Sequence, residues 1–236
     1  MSLSISVSGV HLRDHHSLLA GRERQLLIWI ARRLPAWVTS DRLSALALVS
    51  MAAAGAAFAA LPASPWAALG VVAALAANWF GDSLDGTVAR VRRQERPRYG
   101  YYIDHVIDLA GTALLFGGIA CSGAMAPTIA LALLAAYLLV MSQAFLATHA
   151  RAVFQMSFWG VGPTELRLVL AAGALKLLDT PWMPLGPFGA ARIFDVGGVI
   201  GGVGLTMVFV ISAIRNARAL AAMEPLHARA PGDARA

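Results

Sequence analysis

The sequence predicts an all-α integral membrane protein with six transmembrane helices preceded by an interfacial amphipathic helix. Three observations predict this class. Hydrophobic residues make up 58% of the 236 positions and charged ones 14%, against roughly 25% charged in soluble domains. Six apolar stretches recur along the chain, most of them near the ~20 residues a helix needs to cross a bilayer. The basic residues collect on alternate connections, as the positive-inside rule demands of a membrane protein. The net charge of +6 is therefore read as membrane orientation, and no nucleic-acid partner is expected. One cysteine, Cys121, excludes a disulfide framework or a cysteine metal site within one chain.

Residues 1–16 show no periodic pattern and lack the apolar core of a cleavable signal peptide, so they are expected to be a disordered tail. Residues 17–222 read as one membrane domain. Over 17–38, Leu18, Leu19, Leu26, Leu27, Ile30 and Leu34 recur at helical spacing among Arg22, Arg24, Arg32 and Arg33, with Trp29 and Trp37 at the edges. A soluble amphipathic helix is the plainer reading, but the adjoining span favours a helix lying in the membrane interface.

The spans are expected at about 43–62, 66–91, 99–122, 126–148, 163–179 and 194–214. Pro62 with Pro65, Ser122-Gly123, and Pro181 to Pro187 mark the loops on one side, where Trp66 and Trp182 suit an aromatic belt. The fifth span is short and contains Glu165, Arg167 and Lys176. The last carries Gly197, Gly198, Gly201, Gly202 and Gly204, which permit close helix approach within the bundle or across a dimer; packing within the bundle is the favoured use. Residues 223–236, with Pro225 and Pro231, are expected to be a disordered tail.

Arginines set the orientation. Six lie before the first span, through Arg42; five lie between Arg90 and Arg98; Arg151 and Arg167 flank the next connection on that side, and Arg215, Arg218, Arg229 and Arg235 close the chain. Only Lys176 and Arg192 remain for the other side. Both termini are accordingly expected in the cytoplasm, in a protein of the cytoplasmic membrane.

Against this background the stretch 82–108 stands out. Asp82 and Asp85 are three apart, Asp104 and Asp108 four apart, so each pair shares a helix face. The polar run Arg92–Arg98, with Pro97 disfavouring helix just before it, makes the two helices an antiparallel hairpin. Asp85 then lies level with Asp104, and Asp82 with Asp108, each within about one 1.5 Å step. Like charges at ~4 Å repel by ~4 kcal/mol at an effective dielectric of ~20. Such a cluster calls for protons or cations, and hard oxygen ligands favour Mg²⁺, Mn²⁺ or Ca²⁺. Two cations so held can grip a pyrophosphate and orient an in-line attack. Gly86, Ala89 and Gly100 let a ligand approach backbone closely, and Arg90, Arg93 and Arg98 lie where they could neutralise phosphate.

The pattern Asp82-x-x-Asp85-Gly86-x-x-Ala89-Arg90, followed by Gly100-x-x-x-Asp104-x-x-x-Asp108, resembles the signature of the CDP-alcohol phosphotransferase (CDP-alcohol phosphatidyltransferase) family at all eight of its defining positions. The resemblance implies transfer of a substituted phosphate from a CDP-linked donor, CDP-diacylglycerol or a small CDP-alcohol, to an alcohol acceptor with release of CMP, in phospholipid biosynthesis. It implies Mg²⁺ or Mn²⁺ as two divalent cations, with Asp82, Asp85, Asp104 and Asp108 as ligands and Asp108 also as the base that deprotonates the acceptor. It places Gly86 and Ala89 against the cytidine nucleotide, and it implies a homodimer in the lipid bilayer. Only 82–108 is diagnostic.

Plainer readings compete. The aspartates could be ion-pair partners of Arg90–Arg98, though the full spacing argues against it. His105 reads as a packing residue more than a catalytic one. Glu165 and Arg167, after Gly162-Pro163, could cap a helix or line the acceptor pocket, and the sequence favours neither. An intramembrane prenyltransferase also uses metal-bound pyrophosphate, but the Asp-Gly-x-x-Ala-Arg continuation argues against it. A non-catalytic cation-binding membrane protein would bind metal without CDP.

Overall fold

The structure, a computed structural model, describes residues 18–151, 163–184, 187 and 189–224. Both expected tails lie outside them, except that Met223 and Glu224 belong to the end of the last helix. The elements are α1 (Leu18–Arg33), α2 (Ser40–Ala59), α3 (Ala67–Val91), α4 (Pro97–Cys121), α5 (Pro127–Arg151), α6 (Pro163–Lys176), the strands β1 (Trp182–Pro184) and β2 (Ala190–Arg192), and α7 (Ile193–Met223).

Among the described residues, α2, α3, α4, α5 and α7 are long and apolar enough to cross a membrane. These five helices make the chain an integral membrane protein. The fifth expected span corresponds to α6, which has 14 residues, about 21 Å at 1.5 Å per residue, short of a ~30 Å hydrocarbon core. Its C-terminus is closed at Leu177 to Asp179, where Leu177 and Leu178 donate to carbonyls three or four residues back and Lys176 pairs with Asp179. The loop after it, expected to be irregular, contains an antiparallel ribbon with Met183 opposite Ala191. At the other extreme, α7 runs 31 residues, past the expected end at 214.

Helix ends follow local chemistry. Leu34, before Pro35, cannot continue α1 comfortably, so the helix stops at Arg33 rather than 38. Thr39 then caps α2, its hydroxyl accepting from the Arg42 amide at 3.3 Å, and α2 begins earlier than the apolar pattern alone indicates. Pro97 occupies the first turn of α4, where its missing N–H costs nothing.

The core has two parts. Phe58, Val71, Leu115 and Ile119 are centres of the larger one, with Phe194 of α7 set edge-on to Phe58. Helices α2 and α4 cross at Gly55 and Gly118, where a Cβ on Gly118 would come within 2.0 Å of the Gly55 carbonyl oxygen; no larger residue fits. On α7, a Cβ on Gly198 would meet Ile129 at 2.7 Å and Met125 at 2.9 Å, so this glycine serves packing inside the bundle. The smaller cluster joins Leu27 and Ala31 of α1 to Leu43, Leu84 and Val88. It seats α1 against α3, with Arg24, Arg32, Arg33 and Trp29 on the exposed side, and the Trp79 indole N–H donates to Glu23 Oε1 at 3.2 Å. Leu84 and Val88, both essentially inaccessible, lie one residue before and three after Asp85 and fix the rotation of α3.

Candidate active site

The expected hairpin is present: α3 and α4 are joined by residues 92–96. The turn closes with the Arg93 amide donating to the Arg90 carbonyl at 3.2 Å and the Gln94 amide to the Ala89 carbonyl at 2.9 Å. This is a Schellman closure, in which the residue at Arg93's place adopts the left-handed conformation that usually selects glycine. Arg93 has φ 55°, so a non-glycine residue carries strain at the mouth of the hairpin.

The four aspartates face one another electrostatically. The charges of Asp82 and Asp104 act on Asp85, and those of Asp82, Asp104, Asp85 and Arg167 act on Asp108. Each α3 carboxylate has its own donors. Asp82 Oδ2 accepts from Arg167 at 2.7 Å, with the two side chains 24% and 15% exposed. Asp85 Oδ2 accepts from the Ser44 hydroxyl at 2.7 Å and Oδ1 from the Gly86 amide at 2.5 Å. Asp104 lies 3.9 Å from His105 Nδ1. His105 is buried, with Nδ1 2.7 Å from the Tyr101 carbonyl oxygen and its ring stacked on Tyr101 and near Phe145, which is a packing role.

Among the described residues no three His, Cys, Asp or Glu side chains are grouped closely enough to hold a metal ion. The expected convergence thus appears as mutual electrostatic coupling rather than a ready ligand cage, with Arg167 on Asp82 and Ser44 on Asp85. The donor set itself is all carboxylate oxygen on two facing helices, which fits a hard divalent cation and not a thiol-seeking one.

The remaining expected residues spread around this cluster. A Cβ on Gly86 would meet nothing closer than the Arg90 guanidinium at 3.7 Å, and one on Gly100 would meet nothing within 4 Å. Neither glycine is demanded by packing of the chain, unlike Gly55 or Gly118. Ala89 is half-buried. The Arg90 guanidinium lies beside Gly86 and donates to the Thr87 hydroxyl at 3.2 Å, while Arg93 and Arg98 are exposed. Glu165 lies in α6, but its side chain falls outside the described residues.

Other arginines of the turn are structural. Arg92 donates to the carbonyls of Val38 at 2.6 Å, Leu34 at 3.0 Å, Pro35 at 3.0 Å and Ala36 at 3.4 Å, tying the α1–α2 linker to the end of α3. Arg96 pairs with Asp41, whose carboxylate holds the guanidinium pKa above its ordinary value. Two neighbours of the site escaped the sequence reading. Ser44 sits 41 residues from Asp85, and Tyr137 of α5, hydrogen-bonded to Thr112, feels the charge of Asp108. No short motif links either to the aspartates.

The family model for CDP-alcohol phosphatidyltransferases matches residues 32–211. The chain belongs to that family. The match runs from the end of α1 into α7, so the phosphatidyltransferase assignment covers the bundle as well as the aspartate hairpin. No curated protein matches the chain. Membership makes this a member of a transferase family, one whose description points to phosphatidyl transfer in phospholipid synthesis.

Proposed function

We propose that this phosphatidyltransferase moves a substituted phosphate from a CDP-linked donor to an alcohol acceptor and releases CMP. The single observation that carries the reading is the complete eight-position motif disposed over two facing helices with its four carboxylates electrostatically coupled. Asp108 takes the proton of the acceptor hydroxyl. That oxygen forms a bond to the donor's β-phosphorus, and the bond from this phosphorus to the bridging oxygen breaks, leaving with CMP. Asp82, Asp85, Asp104 and Asp108 would hold two divalent cations, Mg²⁺ or Mn²⁺, which when bound neutralise the pyrophosphate and the leaving oxygen.

The protein's own groups complete the site. Open space over Gly100, and only the mobile-ended Arg90 side chain over Gly86, leave the backbone accessible to the nucleotide, next to half-buried Ala89. Arg90, Arg93 and Arg98 face solvent at the mouth of the hairpin, where they meet the donor phosphates. Arg167, already against Asp82, is assigned to the acceptor side, as is Glu165 from its sequence position two residues before it. The arginine distribution supports a cytoplasmic site in the cytoplasmic membrane with both termini inside, α1 lying in the interface, and the family resemblance supports a homodimer.

A panel of CDP-diacylglycerol and small CDP-alcohols against candidate acceptor alcohols, read as CMP release by purified protein, tests the reaction. CMP formed only when donor, acceptor and divalent cation are all present is the expected result. Release of pyrophosphate from a prenyl donor, or metal binding without CDP-dependent thermal stabilisation, would overturn it.

A further inference from the structure

The seam between α2 and α3 carries one specific contact per turn. Asn78 Nδ2 donates to the Ala47 carbonyl at 2.9 Å. Gly81 lies so close to α2 that a Cβ would come within 2.6 Å of the Leu43 carbonyl oxygen and 2.9 Å of the Ala47 nitrogen. One turn further on, the Ser44 hydroxyl reaches Asp85 Oδ2 at 2.7 Å, and Ser44 is only 8% exposed. The glycine brings the helices close enough for a side chain as short as serine to bridge them.

The Ser44 hydroxyl has one proton and two acceptors in reach, the Ser40 carbonyl at 3.2 Å and Asp85 Oδ2 at 2.7 Å. The shorter, charged acceptor takes it. The Gly86 amide holds Oδ1, so each carboxylate oxygen has one fixed donor. Two donors on two oxygens fix the carboxylate plane, and a carboxylate with about four lone-pair sites still has capacity for a further ligand. Ser44 does not need Asp85 to satisfy its own hydroxyl, because Ser40 offers a local acceptor. The bond therefore serves the aspartate more than the serine.

We propose that Ser44 is a positioning residue for the phosphotransferase site: its hydroxyl holds the Asp85 carboxylate in the orientation that receives the divalent cation. This inference rests on the reading of Asp85 as a metal ligand. Partners that orient a ligating carboxylate typically cost about 10–100-fold in metal affinity when removed.

The test is a Mn²⁺ titration, followed by electron paramagnetic resonance, of the full-length chain in detergent with no substrate present. Ser44→Ala is expected to weaken Mn²⁺ binding about 10–100-fold while the thermal midpoint in chelator stays near that of the unaltered chain. Ser44→Thr, which keeps the hydroxyl, should recover most of the affinity. In an Asp85→Asn background, Ser44→Ala should cost nothing further, because the two residues act through one contact. Native Mn²⁺ affinity in Ser44→Ala, or an equal loss in both backgrounds, would overturn the proposal; the cycle decides even if the threonine methyl does not fit the seam. If Asp85→Asn itself binds Mn²⁺ normally, the assignment of Asp85 as a ligand fails and the role of Ser44 goes with it. A loss in Asp85→Asn with none in Ser44→Ala rejects Ser44 alone.

Discussion

Arg167→Ala removes the cation that Asp82 holds at 2.7 Å, and the consequence depends on the metal content of the buffer. At that distance the gross attraction is about 6 kcal/mol for an effective dielectric of ~20. Breaking a buried pair from one side costs about 3–5 kcal/mol. With side chains 15% and 24% exposed, the lower end, about 3 kcal/mol, is expected in chelator. The cost is sharpened because Asp82 and Asp108 would lose a positive neighbour and keep each other's negative charge. Divalent cations held by the carboxylates, as proposed, would take over this neutralisation. Because Mg²⁺ stabilises both chains, the gap narrows only by the ratio of their dissociation constants, about 2.7 kcal/mol for a 100-fold ratio. Arg167 also competes for Asp82, so its removal should tighten Mg²⁺ binding. Thermal unfolding in detergent across a Mg²⁺ series, with Arg167→Lys as the charge-keeping control, reads both effects. A stability loss of the same size with and without Mg²⁺ would refute the reasoning and leave Arg167 a packing element.

Three further outcomes are expected. Asp108→Asn should keep CDP-donor and Mg²⁺ binding while turnover falls roughly 10²–10⁴-fold, the range for a lost general base; near-normal turnover would move the base elsewhere. Arg93→Gly relieves a left-handed residue that costs roughly 1–2 kcal/mol, partly offset by the greater freedom of glycine when unfolded. Its thermal midpoint should therefore hold or rise while KM for the CDP donor increases, and an unchanged KM would remove Arg93 from the phosphate set. Cysteines introduced at Ser64 and Ala190 should label from outside intact cells and one at Gln94 should not; outside labelling at Gln94 would reverse the orientation and relocate the site.

The legible part of this protein is what depends on neighbours a few residues away. Carboxylate spacing of three and four places Asp82 with Asp85 and Asp104 with Asp108 on shared faces, and a proline after a polar run makes the turn. The structure has both helices, with α4 starting at Pro97. Helix ends were less legible where a cap such as Thr39 starts a helix before the apolar pattern that marks the core of a span, whereas α3 ends at Val91 as that pattern indicates. The short α6 shows the limit of hydropathy. Residues 163–179 are apolar enough to read as a span, yet the helix closes at Lys176, and Lys176 is paired with Asp179 in the turn that follows.

The turn between α3 and α4 shows why residue type alone could not divide its labour. All five arginines from Arg90 to Arg98 count toward orientation in the sequence, and Arg90, Arg93 and Arg98 are singled out for phosphate, but nothing there says what Arg92 and Arg96 hold. In the fold, Arg92 is committed to four linker carbonyls, the nearest in sequence 54 residues away, and Arg96 to Asp41. These two fasten α1 and the start of α2 to the hairpin. Arg90, set over Gly86, and exposed Arg93 and Arg98 are the ones proposed to meet a donor pyrophosphate. The same long-range docking of α2 that engages Arg92 and Arg96 delivers Ser44 to Asp85. The seam that steadies the turn also holds the Asp85 carboxylate, so disturbing α2 where it faces Gly81 of α3 should be felt at the proposed metal ligands before it is felt in the larger core around Phe58.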